Sequence, residues 1–418
     1  MASTALSYRH VARANLAIYS VQIRRKVRML RKISIGAISL VLVLLVAAIV
    51  YIVGAKPRPI QAHDGVKLTP LRTISTVEAR VLLFLTRVQG ISVRNATDLY
   101  RMNYTLATPD GKIVPLSGLL ALPRDVVSRR LVSFQHGTTT TRTAVPSKPD
   151  GTGIAAAIVF AGNGYALVVP DFPGLGDSPG RHPYYVADAI APAIVAMIEA
   201  AQQMEAVPKA PVFLSGFSEG AWASLAALRI LEGQGAKVLG SALVAGAYDL
   251  RRVSLPVSMK GGSSTYSLYL AYAAWGQSEY YGHPLDSVLT QAYAKQVEHL
   301  FEGATPQQIL SALPANPRQI FNQALLDAYD HDGSHWYLDK FTANSLVDVV
   351  PRSPVRFYFG SEDMEVTPQE SLNAARVMSQ RGADARAISV GPLGHDPSML
   401  SAAPLILSWL RELEAAAR

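Results

Sequence analysis

The apolar positions of the chain fall into three zones. Ile33 to Val53 is an unbroken, uncharged run of mostly Ile, Leu, Val and Ala, long enough as a helix to span the ~30 Å hydrocarbon core of a bilayer. From residue 100 to about 250, and again after residue 351, short apolar runs bounded by Gly and Pro alternate with longer stretches of helical spacing. Between these two blocks the alternation stops, and residues 251–350 are rich in Tyr, Ala, Gln and Leu.

The alternating blocks predict a succession of elements. Tyr100 to Thr108 and Ile113 to Leu122 read as strands flanking the turn Pro109-Asp110-Gly111, an antiparallel hairpin expected at a sheet edge. Further strands are predicted at Leu131 to Gln135, Ala166 to Pro170, Val212 to Ser215, Val238 to Ala245, Val355 to Gly360 and Arg386 to Val390. Helices are expected at Ile154 to Ala161, Tyr185 to Glu205 (with Pro192 an irregularity), Ala221 to Leu231 and Pro404 to Ala417. Strands alternating with helices at this spacing give an α/β fold with a mostly parallel sheet covered on both faces, whose sites lie beyond the carboxyl ends of the strands. Residues 60–98 are mixed, with one amphipathic stretch around Val77 to Val88.

Charge changes the picture at the amino end. Eight basic residues, Arg9, Arg13, Arg24, Arg25, Lys26, Arg28, Arg31 and Lys32, precede the first apolar run with no Asp or Glu among them. Setting them aside leaves 31 Lys and Arg against 31 Asp and Glu. The formal charge of +8 therefore belongs to the tail, and a nucleic-acid surface in bulk is excluded. A basic cluster before the apolar run keeps the amino terminus cytoplasmic. We expect a basic cytoplasmic segment at 1–32, an uncleaved single-pass transmembrane anchor at 33–53 and an extracytoplasmic remainder, with secretion after cleavage near Val53-Gly54-Ala55 as the alternative. Residues 56–99 are a linker and extension, opened by the stiff Lys56-Pro57-Arg58-Pro59. The chain has no cysteine, which removes disulfides, thiolate metal sites and a Cys nucleophile.

The chemistry is carried by Gly216-Phe217-Ser218-Glu219-Gly220, placed between a predicted strand and a predicted helix. In that context Gly-x-Ser-x-Gly forms a strained turn that exposes the serine at the sheet edge, and the two glycines remove collisions across the turn. A serine hydroxyl needs a general base within hydrogen-bonding reach and a carboxylate to orient that base. Two later loops supply candidates: Ser361-Glu362-Asp363-Met364-Glu365 and Gly394-His395-Asp396. Other signals are discounted. Gly174-Leu175-Gly176 with Gly180 lacks dinucleotide-fingerprint spacing, and Asp330 to His335 completes no metal-ligand or calcium-loop pattern. No cofactor and no metal are expected.

Together with His136-Gly137, and with Gly360 to Asp363 followed by Val366 and Pro368, these motifs make the chain from about residue 100 onward resemble the α/β-hydrolase superfamily. Within it the chain is similar to secretory-lipase-like esterases with a helical lid. The resemblance implies a core at 100–250 and 351–418 with a cap at 251–350. It implies Ser218 as nucleophile, Asp363 as acid and His395 as base, with Asp249 the alternative acid at a position some members use. It also implies oxyanion donors from the backbone of Glu219 and of Thr138, although Thr138 to Thr141 departs from a Gly-rich oxyanion loop. His136 is expected to brace that loop. The function so implied is hydrolysis of a small-molecule or lipid carboxylic ester through an acyl-enzyme. Peptidase or acyltransferase chemistry on the same residues, and a non-catalytic membrane-tethered binding module, are the alternatives. Most aromatics of the cap are expected to form its own core.

Overall fold

In a computed structural model of the chain, the described residues are 56–148, 151–209 and 211–417. The basic segment and the proposed anchor at 33–53 lie outside them. Among the described residues no helix is long and apolar enough to cross a membrane.

Among the described residues nine strands form one sheet: β1 (Lys67–Ile74), β2 (Thr97–Ala107), β3 (Ile113–Pro123), β4 (Leu131–Gln135), β5 (Ala166–Pro170), β6 (Val212–Phe217), β7 (Val238–Val244), β8 (Val355–Phe359) and β9 (Ala385–Ser389), in the spatial order β1-β2-β3-β5-β4-β6-β7-β8-β9. From β5 onward in that order every neighbouring pair is parallel, whereas β1, β2, β3 and β5 pair antiparallel. The hairpin expected from Pro109-Asp110-Gly111 is present as β2 and β3, but it is not the edge. β1 lies outside it, in residues that carried no clear strand signal. Pro70 interrupts the β1 pattern, and the register slips between Pro70 and Arg72, the kind of irregularity an edge strand tolerates.

Successive residues of a strand point to opposite faces, and the core divides accordingly. Leu120, Val168, Leu214, Leu243 and Phe357 face one layer, with helices α3 (Ala187–Gln202), α4 (Glu219–Gly233) and α11 (Pro368–Gln380). Leu119, Val169, Phe213, Val244 and Tyr358 face the other, with helices α2 (Gly151–Val159) and α12 (His395–Ala416). α1 (Thr76–Leu85) follows β1 and is capped by Ser75, whose side chain accepts from the Glu78 N–H. Strands with both faces covered read as continuous apolar runs, which is why their positions were legible.

α12 is longer than its sequence pattern indicated. It begins at His395, not at Pro404, and Pro404 lies inside it. An interior proline typically costs about 3 kcal/mol of helix. Burial of Ala402, Ala403, Ile406, Leu407 and Leu410 against the sheet offsets this, at roughly 1.5–3 kcal/mol for each large side chain.

Between β7 and β8 the chain leaves the sheet and forms a helical cap: α5 (Leu255–Met259), α6 (Ser264–Tyr281), α7 (Gln291–Phe301), α8 (Pro306–Ala312), α9 (Gln323–Asp330) and α10 (Trp336–Ala343). Its own core contains Leu268, Tyr272, Trp275, Phe321 and Tyr337. α6 is buried on every side from Leu270 to Ser278, because it lies between the cap and the loops of the sheet. Three of its tyrosines reach those loops. The Tyr266 phenol donates to the Met364 carbonyl (2.5 Å), that of Tyr269 to Glu365 Oε2 (2.8 Å) and that of Tyr272 to the Thr139 carbonyl (3.0 Å). The cap's aromatics therefore divide between its own core and contacts with the loops beneath.

Candidate active site

β6 runs directly into α4 through Ser218, whose backbone has φ 55° and ψ −123°. A side chain is rarely held at such a φ, and the surroundings enforce it. The Ser218 N–H donates to the Val244 carbonyl at 2.9 Å. A Cβ on Gly216 would lie 2.2 Å from the Gly220 carbonyl oxygen, and one on Gly220 would lie 2.0 Å from that of Gln135. Any larger residue at either position would push α4 away from the sheet.

Two loops at the same sheet edge bring the expected partners to this serine. Ser218 Oγ donates to His395 Nε2 at 2.9 Å, and His395 Nδ1 donates to Asp363 Oδ2 at 2.7 Å. Asp363 is 1% exposed, and its other oxygen accepts from the N–H groups of Glu365 (2.9 Å) and Val366 (3.0 Å). The loops after β8 and β9 are bonded to one another, Ser361 N–H to the Gly391 carbonyl at 2.9 Å and Glu362 N–H to that of Leu393 at 3.2 Å. Gly360 lets them touch, since a Cβ there would lie 2.1 Å from the Leu393 oxygen. Burial lowers the pKa of His395, but the hydrogen bond to and charge of Asp363 outweigh it, helped by Glu365 and Asp396, and the net shift is upward.

The alternative acid is placed elsewhere. Asp249 caps the turn after β7, and its carboxylate is held by Arg252 Nε (3.0 Å) and Asn373 Nδ2 (3.0 Å). Glu362 is exposed, and Glu365 is bound by Tyr269. The polar turn of the cap is likewise engaged: Asp330 pairs with Arg318 at 2.5 Å, and His335 accepts from the Tyr337 N–H at 3.2 Å.

The two expected oxyanion donors stand on segments that border the Ser218 turn. Glu219 opens α4, where the first N–H groups have no acceptor within the helix and carry the positive end of its dipole. Gly137 lies against the Ser218 turn, since a Cβ on it would be 2.9 Å from the Phe217 ring and 3.5 Å from Ser218 Cβ. Thr138 follows Gly137 in the same loop. Thr138 Oγ1 shares a 2.9 Å hydrogen bond with the Tyr184 hydroxyl. His136 stands behind this loop, with Nδ1 against the Gly137 carbonyl (2.7 Å) and its ring stacked on Phe172 at 4.5 Å.

One residue was passed over in the sequence. His182 Nε2 lies 2.7 Å from Glu219 Oε1, with both side chains almost wholly buried. The only local signal was a histidine, in Arg181-His182-Pro183, in the loop after β5. A cavity of about 600 Å³ opens beside it, lined by Thr140, Arg142, Tyr272, Trp275 and Phe301 among others, and it meets the site at His182 and not at Ser218.

Residues 150–414 match the secretory lipase family. Among solved structures, a protein from Legionella pneumophila aligns with a TM-score of 0.75 and 24% identity, over 83% of this chain and 97% of that one. The ligand-bound rice cell wall degrading esterase LipA from Xanthomonas oryzae gives 0.71 and 21%, over 81% and 94%. Candida antarctica lipase A gives 0.59 and 14%, over 81% of each chain. No protein with a curated description matches the sequence. The fold is that of the α/β-hydrolases.

Proposed function

The chain belongs to the secretory lipase family and is a hydrolase of the lipase and esterase type, and from that premise we propose that it cleaves carboxylic esters through an acyl-enzyme on Ser218. The observation that carries this reading is the unbroken chain from Ser218 Oγ through His395 to Asp363, at 2.9 and 2.7 Å. His395 Nδ1 faces a carboxylate that is itself held by backbone N–H groups, so its proton stays there and Nε2 is left free to accept. Nε2 then takes the Ser218 proton as Oγ attacks the ester carbonyl, and Asp363 stabilises the imidazolium that forms. His395 gives this proton to the departing alkoxide. Water, deprotonated by the same nitrogen, next attacks the acyl-enzyme, the acyl C–Oγ bond breaks, Nε2 returns the proton to Ser218 Oγ, and the carboxylic acid is released. The tetrahedral oxyanion is received by the N–H groups of Glu219 and Thr138, with one such donor typically worth about 2.7–4 kcal/mol.

The aromatic cap favours an apolar acyl or alcohol group. The uncharged run at 33–53 behind its basic cluster favours a membrane tether with the hydrolase on the extracytoplasmic side; extraction of the full chain from membranes by alkaline carbonate would count against it. The enzymatic reading is tested with a serine-directed phosphonate and a panel of esters. Labelling at Ser218 and loss of turnover in Ser218→Ala are expected. Full esterase activity in that variant would sink the proposal.

A further inference from the structure

We propose that His182 is a positioning residue that balances the charge of the buried Glu219 side chain beside the oxyanion site, so that the Glu219 N–H can do its work there. The inference rests on the reading of Ser218 as nucleophile.

Glu219 is an awkward residue for its place. The backbone N–H of Glu219 is aimed at developing negative charge, yet its own carboxylate is 0% exposed. A buried, uncompensated anion there would oppose the oxyanion and cancel the benefit of the helix terminus. His182 removes the conflict. Its Nδ1 lies 2.8 Å from the Pro173 carbonyl, which can only accept, so Nδ1 carries a proton. Its Nε2 lies 2.7 Å from Glu219 Oε1, and the proton between them sits on one partner or the other. As imidazolium with carboxylate, or as imidazole with carboxylic acid, the pair has no net charge. Glu219 Oε2 is buried with no hydrogen-bond partner among the described residues, so this one proton is what balances the group.

The ring of His182 stacks on Phe172 at 5.9 Å with an interplanar angle of 10°, and two close approaches fix its backbone. A Cβ on Gly174 would lie 2.3 Å from the His182 backbone nitrogen. A Cβ on Gly276 of the cap would lie 2.0 Å from the His182 carbonyl oxygen. The pair therefore also ties α4 to the cap helix α6. The other titratable groups around it are the phenols of Tyr184 and Tyr185 on its own loop and Tyr272 on α6, with Arg142 beyond Tyr272. Burial raises all three phenols well above their ordinary range, so they add no charge beside the pair.

The test is a charge-rescue cycle on the full chain in detergent, with a soluble p-nitrophenyl ester and active sites counted by a fluorophosphonate. His182→Gln leaves the carboxylate unbalanced, and kcat is expected to fall on the order of 100-fold, with KM within about threefold. Glu219→Gln leaves a neutral imidazole accepting from a neutral amide, and the loss should stay within about fivefold. The double variant is neutral again and should recover at least about tenfold over His182→Gln. A purely structural role predicts the reverse, with the double variant no better than His182→Gln, and that result overturns the proposal, as does wild-type kcat in His182→Gln. If His182→Gln does not fold alone, Glu219→Gln and the double variant decide. Both lack the buried charge, so their kcat values should agree within about threefold, and a further loss of tenfold or more in the double variant overturns the proposal. Failure of the parent reading looks different: the wild type would not be labelled at Ser218, or Ser218→Ala would still turn over.

Discussion

Two buried histidine–carboxylate pairs flank Ser218, and they differ in one contact. His395 has a carboxylate on Nδ1 and a hydroxyl on Nε2. His182 has acceptor oxygens on both nitrogens. The first ring keeps a lone pair directed at a proton it can take, and in the proposed reaction it becomes an imidazolium as the serine attacks. The second has no nitrogen left to accept a substrate proton, so its charge stays fixed during turnover. The same two residue types thus give a base on one side and a charge balance on the other, and the distinction lies in what the far nitrogen meets.

The widest way to break this comparison is to delete the working side. Ser218→Ala and His395→Ala should each lower kcat on the order of 10⁶-fold, and combining them should cost little more than either alone, because the two act as a unit. Steady-state kinetics on site-titrated preparations reads this directly, and additive losses would separate the two residues. Next comes the orienting acid. Asp363→Asn removes the carboxylate that fixes the Nδ1–H tautomer, and a loss of about 10⁴-fold in kcat is expected. Asp249→Asn is the control from the other candidate acid. It faces Arg252 and Asn373, so kcat should stay within about threefold while stability falls by about 1 kcal/mol, measured by urea unfolding. A collapse of kcat in Asp249→Asn would exchange the two roles.

A smaller effect separates the two pairs by pH. The shift of His395 is upward, with the Asp363 carboxylate outweighing burial. The base works only when neutral, so kcat/KM should rise with pH through a midpoint above the ordinary histidine value of about 6.5. The stability linked to this proton runs the other way: it is fully present below about 6.5 and is lost as pH rises through the folded-state value. Activity and this part of stability should therefore move in opposite directions across the same window. In Asp363→Asn the raising influence disappears and burial remains, so the residual activity should have its acid limb at lower pH. An unmoved limb would detach His395 from it.

How much of this was legible depends on whether a signal is local. β4 and β5 were readable to the residue, because strands covered on both faces are mostly apolar and Gly or Pro lies at or just beyond their ends. Ser218, Asp363 and His395 were readable as candidates because each follows its own strand. β1 was missed because Pro70 breaks its pattern, and the start of α12 was missed because Pro404 was taken as a boundary when tertiary burial overrides it. α6 has no periodicity to find, since a helix buried all round has no polar face. His182 and Glu219 stand 37 positions apart and meet only because the loop after β5 folds over the start of α4. Nothing in the spacing of the two residues encodes that contact.

The finest probe of the comparison is Glu365. Its carboxylate adds to the upward shift of His395 from a distance, behind the two contributions of Asp363, and it is exposed. Glu365→Gln removes that charge and keeps an acceptor for the Tyr269 phenol, so the link to the cap survives. The acid limb of kcat/KM should move to lower pH, by less than in Asp363→Asn, with the plateau rate nearly unchanged. Because the charge faces solvent, the difference from wild type should shrink as salt rises from 0.01 M to 1 M, where the Debye length falls from about 30 Å to about 3 Å. An acid limb that stays in place would mean that Asp363 alone raises His395, and the influence assigned to Glu365 would have to be given up.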